Sequence, residues 1–294
     1  MRPLTTAQRR AALRAAQLPL PLLDTPDRAP LVVSYGAGVD STAMLVAMWR
    51  RGIRPDLILF ADTGGEKPET YAFLTVMNAW LAAIGFPLIT VVRYQPKRAK
   101  YKTLEGKCLT NQTLPSLAYG KHSCSLVFKV EPQNRHLQRW APAVNAWAAG
   151  MRVRKAIGYD SGEQDCRRRR KADKAVAKKA EQGHVDAQRY EYWYPLQEWG
   201  IDRLECLRLI ASAGLPKPIK SACFFCPASK KSEVVWLRDT HPVLFHRALR
   251  IERGAQNGKH GLSTVVGLGR SFAWSSLETV DANSVVDLAE YLRP

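Results

Sequence analysis

Short apolar runs separated by segments of helical period set the framework of this chain. Leu31-Val32-Val33 leads into a glycine-rich turn, and the following stretch 41–52 (STAMLVAMWRRG) fits a helix that ends at Gly52. Asp56 to Ala61 (DLILFA) has the continuous apolar character of a strand buried on both faces, and a helix opening near Pro68 runs to about Ala83. Leu88 to Arg93 and Val153 to Tyr159 are predicted as a third and a fourth strand, with one helix from about Gln133 to Ala149 between them. Glu191 to Leu196 (EYWYPL) reads as a further short strand; helices are expected over about 203–213, 230–239 and 242–253, then a last amphipathic one reaching Leu292. This alternation predicts an α/β fold built on a doubly wound parallel sheet, with a small C-terminal helical subdomain. The expected division is an N-terminal helix and Pro-rich linker over 1–29, an α/β domain over 30–200, and the helical subdomain over 201–294.

The first strand and its turn carry the first candidate chemistry. In LVVSYGAGVDST (31–42) a strand enters a phosphate-sized loop that opens a helix. Backbone N–H groups at Gly36 and Gly38 are candidates to cradle an anion at the helix N-terminus; Ser34, Ser41 and Thr42 add hydroxyls and Asp40 a carboxylate. No G-K-[ST] ends the loop, which excludes a Walker A motif, and the glycine spacing is not G-x-G-x-x-G. The second strand ends in Asp62-Thr63-Gly64, and strand C-termini are where open α/β sheets hold ligands, so Asp62 and Thr63 are expected beside Asp40. Glu66 and Glu69 read as first-turn acids matched to a helix dipole.

Charge changes the picture more than size does. The formal net charge is +18, which points to a polyanionic partner, most often nucleic acid. The densest run, Arg167, Arg168, Arg169, Arg170 and Lys171 with further lysines to Lys179, is a mobile loop or an exposed helix that contacts phosphates rather than bases, so it does not distinguish DNA from tRNA. No apolar run reaches membrane-spanning length, and a cytoplasmic protein is expected. Six cysteines, unevenly spaced, do not make a secreted disulfide framework. Cys223 and Cys226 form a C-x-x-C that points two thiolates the same way, fit for an iron–sulfur cluster, for zinc, or for a bare redox pair.

Four blocks in order carry a family resemblance: SYGAGVDS at 34–41, similar to an S-x-G-x-D-S loop, DTGGEKPET at 62–70, a cysteine followed by Lys129-Val130-Glu131-Pro132, and P-L-x-x-W at 195–199 with C-x-x-C-P at 223–227. Together they resemble the pyrophosphate-loop ATP pyrophosphatase and PAPS reductase superfamily; the wording is closest to phage-type PAPS reductase-like proteins and to the sulfurtransferase subunit of DNA phosphorothioation systems. The resemblance implies ATP and Mg²⁺ as cofactors, with Ser34, Tyr35, Gly36, Gly38, Asp40, Ser41, Thr42, Asp62, Thr63 and Gly158 around the nucleotide and Asp40 and Asp62 nearest the chemistry. It favours a [4Fe–4S] cluster over zinc and adds Cys124 as a ligand. Many cluster-bearing relatives have Cys-Cys where this chain has Cys124-Ser125, so a fourth ligand is needed from elsewhere; Cys108 is the expected one and His122 the reserve. Lys129 follows the family pattern and is expected to reach a phosphate. Assimilatory sulfonucleotide reductases also carry a cysteine in a C-terminal E-C-G-[LI]-H tail, which does not occur here. The resemblance therefore implies an adenylating enzyme that cleaves ATP to AMP and pyrophosphate and inserts sulfur into a nucleic acid, with a sulfur donor such as a cysteine desulfurase. A sulfonucleotide reductase and a non-catalytic nucleic-acid-binding subunit are the alternatives.

Overall fold

A computed structural model describes residues 27–258 and 261–278. The predicted N-terminal helix and most of the predicted last helix lie outside the described residues.

Five parallel strands form one sheet: β1 (Leu31–Tyr35), β2 (Leu57–Asp62), β3 (Ile89–Arg93), β4 (Val153–Ile157) and β5 (Tyr190–Trp193), in the order β3-β2-β1-β4-β5. The chain winds outward from β1 through β2 to β3, then returns to the other side of β1 to place β4 and β5. The order therefore reverses between β1 and β4, and the crevice at their C-terminal ends is where such sheets bind ligands.

Both faces of the sheet are covered, which explains the uninterrupted apolar runs. On one face Val33, Tyr35, Ile58 and Phe60 pack with helices α1 (Val39–Arg50) and α2 (Pro68–Ala83). On the other, Val32, Leu59, Ala61 and Val153 meet Leu137 and Ala143. Those two residues belong to separate helices, α4 (Glu131–Leu137) and α5 (Ala141–Ala148), where the sequence predicts one. Pro142 lacks an amide hydrogen and its ring clashes with the carbonyl four residues back, so the helix restarts after an extended Trp140. The basic run, left open between loop and helix, is the 19-residue α6 (Glu163–Glu181). Ion pairs Arg167–Glu163, Arg168–Asp165 and Arg169–Asp173 at helical spacing support it.

The predicted boundary at residue 200 does not coincide with the packing. Helix α7 (Arg203–Ser212) packs along α1, and its Cys206, Leu209 and Ile210 belong to the core of the sheet. A second apolar cluster draws on both halves of the chain. Leu104 and Cys108 of α3 (Leu104–Asn111) and Phe128 join Phe224, Phe225, helices α8 (Lys231–Thr240) and α9 (Pro242–Gln256), and Trp274. Its polar centre is Glu252, wholly buried, which accepts backbone N–H groups of Leu268 and Trp274 on Oε2 and of Ser275 on Oε1, at 2.7–2.9 Å. These bonds fasten the loop 266–275. Gly267 is required there, because a Cβ would lie 2.3 Å from Glu252 Oε2.

Lys155 of β4 is a buried charge on the sheet. Its Nζ donates to Asn134 Oδ1 at 2.9 Å and lies over the Tyr190 ring; burial pulls its pKa down to about 8 from 10.5. Above pH 8 the unfolded chain holds this proton and the folded one does not, so the penalty of burying the charge fades as pH rises to 10.5. Lys155→Met should therefore gain on the parent at pH 7 relative to pH 10.5 by on the order of 3 kcal/mol. Urea unfolding of both proteins across that range measures it, and a difference independent of pH would contradict it.

Candidate nucleotide and cysteine site

β1 delivers the loop 36–38 to the switch point, and α1 starts immediately after it. The left-handed residue of the loop is Ala37, with φ of +56°, rather than either glycine. Ser41 Oγ accepts the N–H groups of Gly36 and Gly38 at 3.2 and 3.3 Å, so the two amides expected to cradle an anion converge on one point beside the helix N-terminus. Asp40 stands at the edge of this cradle, paired with Arg203 Nη1 at 2.6 Å.

The other expected nucleotide residues divide by burial. Tyr35 and Thr42 turn into the core and bond to each other at 3.1 Å, so their side chains brace the loop from behind. Ser34 Oγ donates to Gln133 Oε1. Gly158 follows β4 and backs directly on α1: a Cβ there would sit 2.8 Å from Ser41 Cα and 2.9 Å from Ser41 N. The glycine is needed for backbone to approach backbone.

Two acids that sequence reasoning passed over complete this half of the site. Carboxylate oxygens of Asp40, Asp160 and Asp165 lie within 4.8 Å of one another. Burial pushes the Asp40 carboxyl up, Arg203 pulls it back, and Asp160 and Asp165 raise it again. The legible signal was position: Asp160 and Asp165 follow the C-terminal end of the fourth strand, as Asp62 follows the second. From Asp165 the basic helix α6 runs outward with Arg167 to Lys171 exposed; Arg168 lies over Tyr159 and Arg169 over Tyr194.

Asp62 ends β2 with both carboxylate oxygens engaged. Its Oδ1 accepts Tyr71 Oη and the Gly64 N–H, each at 2.8 Å, and its Oδ2 pairs with Arg93 Nε at 2.9 Å. Three partners make it a brace of the 62–66 turn. Thr63 belongs to the cysteines instead: its Oγ1 lies 3.1 Å from Cys223 Sγ. Glu66, read as a helix-dipole acid, lies ahead of α2 and is turned inward with its side chain wholly buried.

The cysteine pair is docked on that same turn. Glu66 and Cys223 form an antiparallel bridge, and the Phe224 N–H donates to Gly65 O at 2.7 Å. Gly64 has φ of +74°, and a Cβ on Gly65 would lie 2.7 Å from the Phe225 ring. Cys226 N donates to Cys223 O at 3.0 Å, closing the turn that sets both thiols on one side. Cys124 precedes a π-helical stretch, Leu126–Val130, of the kind that often marks functional sites. That stretch carries Lys129, whose Nζ lies 3.4 Å from Glu66 Oε1. Burial opposes the lysine's charge, but Glu66 and the Cys223 and Cys226 thiols outweigh it and raise its pKa. Lys129 thus faces the buried carboxylate and the thiols, not the loop 36–38. Cys124 is an electrostatic neighbour of Cys226. Cys108, the expected fourth ligand, neighbours Cys124 and is packed in the second core. Burial pushes the Cys108 thiol up to about 12 and those of Cys223 and Cys226 upward, so metal loading would release protons. A cavity of about 250 Å³ opens beside Cys223, walled by Lys67, Lys220, Phe224, Trp236 and Trp274.

A parallel sheet with a strand–loop–helix turn at its switch point defines a doubly wound α/β protein. The phosphoadenosine phosphosulfate reductase domain model matches residues 30–200, and the chain belongs to that family. Comparison with curated proteins finds no match. Among solved structures, the U34-tRNA thiolase NcsA from Methanococcus maripaludis with its [4Fe-4S] cluster is similar at 16% identity and a TM-score of 0.41, over 88% of this chain and 86% of that one. No helix among the described residues is long and apolar enough to cross a membrane.

Gly158→Ala should lower stability by about 1–3 kcal/mol in urea unfolding, because backbone atoms of α1 cannot yield to the added methyl. Gly254→Ala, whose methyl meets nothing within 4 Å in the last turn of α9, should be neutral or stabilising by about 0.5–1 kcal/mol. Equal behaviour of the two variants would refute the close-packing account.

Proposed function

We propose that this protein is an ATP-dependent adenylating enzyme that activates an oxygen of a nucleic acid and replaces it with sulfur. The observation that carries the reading is the contact between the two halves of the site. A Cβ on Gly38 of the phosphate loop would lie 3.6 Å from Ser221 Cβ, two residues before Cys223. Phosphate loop and cysteine turn therefore meet beyond the C-terminal ends of the neighbouring strands β1 and β2.

The convergent amides of Gly36 and Gly38 and the N-terminus of α1 would hold the departing phosphates of ATP. Asp40, with Asp160 and Asp165, would hold Mg²⁺ against them. The substrate oxygen attacks the α-phosphorus and pyrophosphate leaves. Hydrosulfide then attacks the activated carbon, the carbon–oxygen bond breaks, and AMP departs with that oxygen. The second step needs neither oxidant nor reductant. Cys124, Cys223 and Cys226 would hold an iron–sulfur cluster, whose chemistry is to bind sulfur through iron. Lys129 and Lys67 supply positive charge beside the thiols: Lys67 Nζ donates to the Lys220 and Ala222 carbonyls just before Cys223, and Lys129 faces Glu66. The exposed cations of α6 lead away from Asp165 along a line that a polyanion can follow into the site.

Purified protein given ATP labelled at the α-phosphate should release AMP and pyrophosphate in the presence of tRNA or DNA, and Asp40→Asn should reduce the rate at least 100-fold. Sulfite release from PAPS with added thioredoxin, without ATP cleavage, would overturn the reading in favour of a sulfonucleotide reductase. Charge reversal at Arg167, Arg170 and Lys171 should weaken nucleic-acid binding and flatten its dependence on salt, by about 0.7–0.9 in log–log slope for each phosphate set free. ATP affinity should stay unchanged. An unaltered salt dependence would exclude α6 as the nucleic-acid surface.

A further inference from the structure

Cys124, Cys223 and Cys226 supply three thiolates, Ser125 follows Cys124, and Cys108 shares their apolar cluster, so the fourth position is open to Cys108 or to another donor. On the reading that Cys124, Cys223 and Cys226 hold an iron–sulfur cluster, we propose that the carboxylate of Glu66 is its fourth ligand.

The argument starts from a buried oxygen without a partner. The Glu66 side chain has no solvent exposure; its Oε1 accepts from Lys129 Nζ and Thr63 Oγ1, both at 3.4 Å, and its Oε2 is buried without a hydrogen bond. Two long contacts on one oxygen and none on the other are poor recompense for a carboxylate taken out of water. The contrast within this protein is Glu252, equally buried, which accepts three backbone N–H groups at 2.7–2.9 Å across both oxygens. Where the fold needs a buried glutamate for its own sake, it satisfies it. Glu66 is left with one oxygen to offer.

The direction of that offer follows from the backbone. Glu66 and Cys223 face each other across an antiparallel bridge. Thr63 Oγ1 touches both groups, 3.1 Å from the Cys223 sulfur and 3.4 Å from Glu66 Oε1. Carboxylate and thiol thus share one hydroxyl, and Lys129 and Thr63 hold Oε1 while Oε2 stays free. An oxygen ligand suits iron less well than a thiolate, so this position would be the most readily exchanged of the four.

The test compares full-length protein purified without oxygen as the parent, Glu66→Gln, Glu66→Cys and Cys108→Ser, by iron, acid-labile sulfide and zinc content and by electron paramagnetic resonance. The parent is expected to hold about four irons per chain. Glu66→Gln should fall to about three and show a three-iron signal on mild oxidation, Glu66→Cys should return to the full complement with an altered spectrum, and Cys108→Ser should match the parent. Parental iron and spectrum in Glu66→Gln would overturn the ligand assignment alone. So would iron loss in Cys108→Ser, or a loss in Glu66→Gln that Glu66→Cys fails to restore, since that pattern marks a structural role. A parent without iron would overturn the cluster reading together with this one.

Discussion

The functional face of this protein depends on one short backbone pairing, the antiparallel bridge between Glu66 and Cys223 with the Phe224-to-Gly65 hydrogen bond beside it. It joins residues more than 150 positions apart in the chain and is hardly more than one turn pressed on another. The pairing is possible because Gly64 takes a left-handed conformation and Gly65 lets the Phe225 ring approach to a distance that no side chain would allow. Phe224 and Phe225 then bury themselves in the second apolar cluster, so hydrophobic burial holds the pairing closed. Helices that contribute nothing to the sheet thereby determine where the cysteines stand relative to the phosphate loop.

Charge is distributed around that face in separate zones. Three carboxylates gather at the start of α1 and α6, with Arg203 on one of them. Lys129 and Lys67 border the thiols. The long basic helix begins at the acidic group and carries its cations away from it. A net charge of +18 is far more than one nucleotide needs, and the exposed stretch Arg167 to Lys171 gives part of the surplus an address on the surface.

The sheet was legible because each strand is buried on both faces and reads as a run of apolar residues of strand length, and because α1 and α2 have helical period between them. Pairing order was not, since parallel neighbours carry no local signal in the strands themselves. The single helix expected over Gln133–Ala149 breaks ahead of Pro142, a local signal that the apolar periodicity masks. The phosphate loop was legible as a motif. Its internal division was not: Tyr35 and Thr42 look like ligand residues in one dimension and are core residues in three.

Sequence alone therefore determined the α/β class, the position of the loop at Leu31–Thr42, the C-x-x-C spacing of Cys223 and Cys226, and the dense basic run from Arg167 to Lys171. These are encoded in periodicity, spacing and composition, which act over a few residues or over the whole chain. Only tertiary structure decided that Asp62 is a brace, that Asp160 and Asp165 join Asp40, that Cys108 packs in one cluster with the C-x-x-C turn, and that Glu66 faces inward with an oxygen to spare. Each of these depends on which distant segment covers a side chain, and burial of a polar atom is a property of the neighbours that the fold brings to it, not of the residue's place in the chain.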